Sequence, residues 1–293
     1  MARCVSAILE FLAPFLKNVQ VNDAVVSLYR GTLRVLLVLL HDFSDFLSYY
    51  HFEFCAMVPS NCIQLRNLIL SAFPGDMKLP DPFTPNLKVD LLPEIGQRPL
   101  FSSGRLDVIL NHTIKHELER SIHENDVPNF FSGIWNQHFL VWNEANVNFL
   151  NCIVFYTGIL AVQQGYPGQA TSRLPHRKVF NYMANKLDSE GRYYFLNAMV
   201  NQLRYPNSHT YYFSCMLLFL FAEVESEFVR EQITRVLLER LVVNRPHPWG
   251  LLITFIELIK NAQYNFWSHE FTRYTPDLER LFESVARSCV APR

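Results

Sequence analysis

The sequence predicts an all-α protein: an irregular, HEAT-like stack of antiparallel helices with an α-solenoid-like arrangement. Apolar residues recur at helical spacing along most of the chain, strand-type alternation never survives beyond a few residues, and the connections between apolar segments are modest. No clean sequence repeat is visible, so the repeat character follows from helix pairing alone. The chain has 293 residues, 49% of them hydrophobic, enough for a large core. A single helical domain over 1–293 is expected.

In chain order, the first helix is expected over Ala7–Phe15 and the second over Ala24–Tyr50, with a break near Gly31. Within the second, Thr32–Leu40 is nearly all apolar. Ile63–Leu70 follows and ends before Pro74, and further helices fit Asn146–Val162, Gly191–Leu203 and Tyr211–Phe221. Ser226–Val243 places Val229, Ile233, Val236 and Leu237 on one face. Its opposite face carries Glu231, Arg235 and Glu239 four apart, as on a solvated surface. In Trp249–Ile259 only Gly250, Thr254 and Glu257, with Asn261 beyond, form a narrow polar stripe. A helix so apolar must be covered on several sides. Pro246 and Pro248 suit its entrance, where a missing N–H is harmless. A last helix is expected from Thr275-Pro276-Asp277, with a hydroxyl cap, a first-turn proline and an acid at the positive end.

Two segments interrupt the pattern. Residues 74–105 contain Pro74, Pro80, Pro82, Pro85, Pro93 and Pro99, which exclude a continuous helix. Leu79, Phe83, Leu87, Val89, Leu91 and Leu92 supply apolar anchors, so this stretch is expected to cross the helices as an extended, pinned segment. Residues 163–178, rich in Gly, Ser, Thr and Pro over 163–175, predict a variable surface loop.

Composition narrows the function. Lys+Arg 26 against Asp+Glu 27 gives a net charge of -1, which offers no field to attract phosphate backbones, so direct nucleic-acid binding is not expected. Cys4, Cys55, Cys62, Cys152, Cys215 and Cys289 form no CxxC pair and read as thiols of a reducing compartment. The longest apolar stretches, Val35–Leu40 and Tyr211–Ala222, are too short to span a bilayer. No secretory leader pattern opens the chain. A soluble intracellular protein without membrane contact is expected.

The chemical motifs are weak. His112 and His116 share a helical face, but Glu117 follows the second histidine and Arg120 stands where a third element would be, so a solvated helix is the better reading than a metal site. Ser102-Ser103-Gly104 lacks the GxSxG elbow, and no GxxxxGK[ST] or GxGxxG occurs. Paired acids such as Glu223 and Glu225, or Glu117 and Glu119, are common on exposed helices and need a cleft to become catalytic. No catalytic, cofactor-binding or metal residue is assigned, and no cofactor or enzymatic activity is expected. The alternatives are a helical enzyme whose acids or histidines converge only in the fold, and a free-standing helical adaptor or RNA-binding helical-repeat module.

The aromatic residues point elsewhere. Tyr193, Tyr194, Tyr205, Tyr211 and Tyr212 cluster around the Arg204-Tyr205-Pro206-Asn207 turn, with Arg192 alongside and Arg235 and Arg240 as neighbours. They are read either as core residues with hydroxyls at the rim or as partner anchors, since Tyr and Arg are enriched in binding hot spots. The adjacent apolar helix could floor a groove.

Longer strings carry a family resemblance. They include Asn244-Arg245-Pro246-His247-Pro248-Trp249-Gly250-Leu251-Leu252-Ile253-Thr254-Phe255-Ile256-Glu257-Leu258-Ile259-Lys260, then Tyr264-Asn265-Phe266-Trp267-Ser268-His269-Glu270-Phe271. Others are Phe11–Asn18, Tyr29–Phe43, Asn61–Pro74, Leu79–Asp90, Gly191–Ala198, Asn201–Thr210 and Glu231–Arg240. From Ala7 onward the chain resembles the C-terminal homology domain of Not-one, the scaffold of the CCR–NOT messenger-RNA deadenylase complex. The stretches 98–138 and 163–178 do not match that pattern. The resemblance implies the C-terminal piece of a longer scaffold and a non-catalytic docking surface. Its implied partners are the Not-two and Not-three/five subunits and short motifs of translational repressors such as Nanos. It further implies support of deadenylation and translational repression, with a cytoplasmic and also nuclear location.

Overall fold

The computed structural model describes residues 1–18, 22–164 and 175–273, with Arg280, Phe282 and Ser284 beyond them. Among these residues there are thirteen α-helices and no strand. The helix expected from Thr275 and most of the 163–178 loop lie outside the described residues.

The first four helices are α1 (Ala2–Lys17), α2 (Asp23–Asp42), α3 (Ser44–Met57) and α4 (Ile63–Leu70). The α2–α3 break falls at Phe43, not near Gly31. A Cβ on Gly31 would meet nothing within 4 Å, so that position runs on as exposed helix. The break is fixed by Ser44, whose hydroxyl donates to the Phe73 carbonyl at 2.6 Å and accepts from the Phe73 N–H at 3.1 Å.

Then come α5 (Gly104–Ile109), α6 (His112–His123), α7 (Val127–His138), α8 (Glu144–Gln163) and α9 (Pro175–Lys186). The chain ends in α10 (Ser189–Val200), α11 (Ser208–Glu223), α12 (Glu227–Leu241) and α13 (Trp249–Lys260), followed by short 3-10 turns. Several helices start one to three residues before their apolar pattern does because an Asn or Asp side chain caps the first turn. Asn143 accepts from the Asn146 N–H at 2.9 Å, Asp188 from Gly191 at 2.8 Å, and Asn207 from Thr210 at 3.0 Å.

Two hydrophobic cores result. One is enclosed by α1–α4 around Leu9, Leu36, Leu47, Phe54 and Ile69. The larger fills the space between α5 and α13, with Phe131, Phe155, Phe195, Phe213 and Phe255 fully buried. Phe52 of α3 belongs to the larger core and stacks on Phe155 at 4.6 Å between centroids.

Helix α13 is covered on several sides as its composition requires. Even its polar stripe is mostly internal: Thr254 is buried and donates to the Gly250 carbonyl at 2.7 Å, with Ser214 Oγ at 2.8 Å. Gly250 is needed for close approach. Its N–H donates to the Arg204 carbonyl at 2.6 Å, and an added Cβ would lie 2.4 Å from Thr210 Cγ2.

The proline-rich segment runs in extended stretches and turns, with 3-10 turns at Val89–Leu91 and Pro93–Gly96, and packs Phe83 and Phe101 against the larger core. Leu79, Phe83, Leu87, Val89 and Leu92 are half-buried. Leu91 is 73% exposed and is not an anchor; Ile95, which lies in the second 3-10 turn, takes that role at 3%. Backbone groups pin the rest. Pro80 accepts from Trp249 Nε1 at 2.8 Å, Gln97 from the Ser208 N–H at 2.9 Å, and Tyr49 from the Ser102 N–H at 2.8 Å.

Helices α2 and α8 are long and apolar enough, by length and composition, to cross a bilayer, which the shorter uninterrupted stretches did not reveal. Most of α8 is interior. Helix α2 instead leaves Val35, Leu37 and Val38 about half exposed, as are Phe11 of α1 and Phe43 at the end of α2. The apolar run Thr32–Leu40 is thus covered on one face, through Thr32, Leu36 and Leu39, rather than all round.

Candidate partner-binding surface

The nine residues singled out by sequence do not form one face. Arg204, Tyr205, Tyr212 and Arg240 are all interior, at 2–3% exposure. Arg204 leaves the α10–α11 turn and reaches into the first core's edge, where Nη2 donates to the Ser48 carbonyl at 2.8 Å and to Ser48 Oγ at 2.7 Å. Its Nη1 reaches the Leu100 carbonyl at 3.2 Å and His51 Nε2 at 3.1 Å. Burial pushes the guanidinium pKa down to about 10. Next to it, the Tyr205 hydroxyl accepts from the Leu100 N–H at 2.7 Å, fastening the proline-rich crossing.

Tyr212 packs against Phe213 and Phe180 in the large core. Arg240 donates through Nη2 to Asn197 Oδ1 at 2.8 Å and Asn201 Oδ1 at 2.7 Å, while its carbonyl accepts from Asn67 Nδ2 at 2.7 Å. Burial pushes the Arg240 pKa down to about 9. These four side chains hold elements together. They are not partner anchors, because a turn between two mostly buried helices draws its own side chains inward.

The other five lie at the rim, in three places. Arg192 braces α9, α10 and α12, donating to the Ala184 carbonyl at 2.6 Å, the Leu187 carbonyl at 2.7 Å and Gln232 Oε1 at 3.0 Å. Tyr193 donates to Glu239 at 2.9 Å, and burial pushes its hydroxyl pKa up to about 12. Arg235 is exposed on the same α12 face and pairs with Glu231 one turn away. Tyr194 points to the start of α8, its ring 5.6 Å from Trp142 and its hydroxyl donating to Glu190 at 3.2 Å. Tyr211 faces away from all of these, beside Cys215 and towards Asp90; burial pushes its pKa up to about 12.

Sequence reasoning missed the exposed apolar face of α1 and α2. The signal was present: α2 is apolar at positions that α3 and α4 cannot all cover. His112 and His116 do stack at 6.5 Å on the exposed side of α6, and among the described residues no group of three or more His, Cys, Asp or Glu is placed to hold a metal.

A stack of helices with two linked cores, a crossing segment and rim residues engaged mainly with each other defines the class of helical scaffold domains. The chain belongs to the Not1 family: the model of the CCR4-Not complex component Not1 matches residues 1–286. Among relatives, it is 46% identical over 292 residues to the CCR4-NOT transcription complex subunit let-711 of Caenorhabditis elegans, covering 96% of this chain and 11% of that protein. It is 39% identical over 297 residues to the general negative regulator of transcription subunit 1 of Schizosaccharomyces pombe, covering 97% and 14%. The chain therefore spans 11–14% of the length of these relatives.

Solved structures agree. The NOT1 superfamily homology domain from Chaetomium thermophilum superposes with a TM-score of 0.86 at 32% identity, over 98% of this chain and 60% of that one. A Not1 C-terminal domain in complex with Not4 superposes with a TM-score of 0.81 at 26% identity, over 95% and 57%. The all-α, solenoid-like expectation and the family resemblance both hold. The stretch 98–138, which did not match by sequence, is helical: α5, α6 and α7.

Proposed function

We propose that this chain is a non-catalytic docking domain of a CCR4-NOT scaffold. In this reading it holds the Not-two and Not-three/five subunits and receives short motifs of translational repressors of the Nanos type. Recruited proteins would thereby bring deadenylases to a transcript, supporting poly(A) shortening and repression in the cytoplasm, with a nuclear role alongside. The family match over residues 1–286 carries the reading. A solved relative, a Not1 C-terminal domain, is in complex with Not4, which supports a Not4-type subunit as a further candidate partner.

Physical chemistry supports docking over catalysis. A rigid helical stack can present grooves to segments that are extended when free and fold on contact. For repressor motifs we place the contact at the α10–α12 rim, where Arg192, Tyr193 and Arg235 lie together, with Tyr194 beside it. Affinity purification of the tagged chain, followed by identification of bound subunits, tests the assignment. Recovery of Not-two with a Not-three/five subunit is expected; recovery of neither would remove it.

A further inference from the structure

The two cores are separated by a polar seam. Into it run Arg66 from α4, Arg105 from α5, Arg204 from the α10–α11 turn and Arg240 from α12. Arg66, Arg204 and Arg240 are 9%, 2% and 2% exposed. None of them forms an ion pair with a carboxylate among the described residues. Their bonds go instead to neutral acceptors, oxygens and the His51 imidazole nitrogen; Arg66, for instance, serves the carbonyls of Cys55 and Val58. Donors are left over: Arg105 Nε, Arg204 Nε, and Nε and Nη1 of Arg240 have no acceptor among the described residues, and of these Arg105, which is half-buried, borders the cavity described next, while Arg204 and Arg240 lie behind its wall. Buried charges are ordinarily matched by an opposite charge, because desolvating them alone is expensive.

A cavity of about 20 Å³ lies in this seam, bordered by Arg66, Arg105, His51, Asn151, Asn201 and Gln202. That volume admits one occupant of roughly water size. Two buried thiols line it and show the sign of the local field. Cys55 feels Arg66, Arg240 and Arg204, and Cys152 feels Arg105 and Lys115, with no acid acting on either.

We propose that the seam cavity binds a single small monovalent anion of halide size, chloride under cellular conditions, which meets Arg66 and Arg105 directly, offsets the charge of Arg204 and Arg240 behind them, and ties α1–α4 to the remaining helices. A water molecule would fill the space without supplying charge. Asn151, Asn201 and Gln202 each spend one amide N–H on a protein oxygen, Val147, Asn151 Oδ1 and Ala198 respectively, which leaves each a second N–H of the kind that holds a halide.

The test uses the whole chain melted in sodium chloride, bromide and gluconate at one ionic strength, so that screening is constant. Bromide-grown crystals add an anomalous map. We expect a bromide peak between Arg66 and Arg105 and a melting temperature about 2–4 °C higher in either halide than in gluconate. Ala56→Leu, which fills the cavity from one wall, should abolish both; Arg105→Gln serves the same purpose should the leucine variant not fold. Identical melting in all three salts with no anomalous peak would overturn the proposal and leave water as the occupant. A halide response that persists undiminished in the cavity-filled variant would overturn it too, as a surface effect.

Discussion

Arg204 Nη1 donates to His51 Nε2 across 3.1 Å in the interior, joining the turn before α11 to helix α3. The contact requires an uncharged imidazole, since a protonated Nε2 would be a donor facing a donor. His51 Nδ1 is then the protonated nitrogen and donates to the Ser48 carbonyl at 2.8 Å. Burial and the neighbouring guanidinium both hold His51 well below the usual histidine range. One pair of side chains thus fixes a tautomer, a charge state and the placement of the first core against the second.

This pair predicts acid sensitivity. Burial also lowers the pKa of His176 to about 4 and, with Arg204 adding to it, that of His209 to about 3. The native state keeps these rings neutral, while the unfolded chain takes up protons once the pH falls below 6.5. Stability is therefore complete above that value and is lost as the pH drops through it. Between there and pH 5, His176 and His209 should each remove about 2 kcal/mol. Thermal melts across this window check the claim, and a flat profile would contradict it.

Tyr205→Phe should lower stability and leave partner affinity alone. The substitution strips the acceptor from the half-buried Leu100 N–H, which costs about 1 kcal/mol for a donor left unmet. Chemical denaturation measures the loss. Unchanged stability combined with weakened partner binding would return this tyrosine to the surface from which burial removes it.

Gly250→Ala should be destabilising although alanine is the better helix residue. The new methyl would stand 2.9 Å from the Arg204 carbonyl oxygen and 2.9 Å from the Leu203 carbonyl carbon, both backbone atoms. Thr210 cannot yield easily either, because its hydroxyl is tied to the Gln202 carbonyl at 3.1 Å. A loss of about 1–3 kcal/mol is expected from overpacking, read as a lower denaturation midpoint. A neutral outcome would mean that α13 slides without cost.

The helices were legible where apolar spacing is strong, as in Ile63–Leu70 and Trp249–Lys260. Their starts were less so, because Asn143, Asp188 and Asn207 act through side-chain caps that precede the apolar pattern. Helices α5–α7 were hidden by short lengths and mixed faces: His112–His123 buries only Leu118, Ser121 and Ile122. The candidate surface was half legible. Chain proximity gathered the right tyrosines and arginines, but whether a side chain turns inward depends on the partner helix. Arg204 and Arg240 go inside because Ser48, Asn197 and Asn201 wait there, a fact no local window contains.

The rim should behave as a binding surface, not a structural one. Among the described residues the hydrogen bonds of Tyr194 and Arg235 go to carboxylates within one turn of their own helices, and the Tyr194 ring packs on Trp142, so Tyr194→Ala with Arg235→Ala should lower the melting temperature modestly and leave the chain folded. Calorimetric titration with a short Nanos-type motif should show a loss of about 2 kcal/mol, as for hot-spot residues. Full affinity in the folded double variant would remove this surface from consideration.

The docking role itself is tested most directly by mixing the purified chain with the co-expressed C-terminal regions of Not-two and a Not-three/five subunit and measuring the mass of the eluting species by light scattering. A stable ternary complex is predicted, burying more than about 2,000 Å² in total as extended partners do. Elution of the chain alone, at its monomer mass and beside an intact Not-two–Not-three/five pair, would contradict the account.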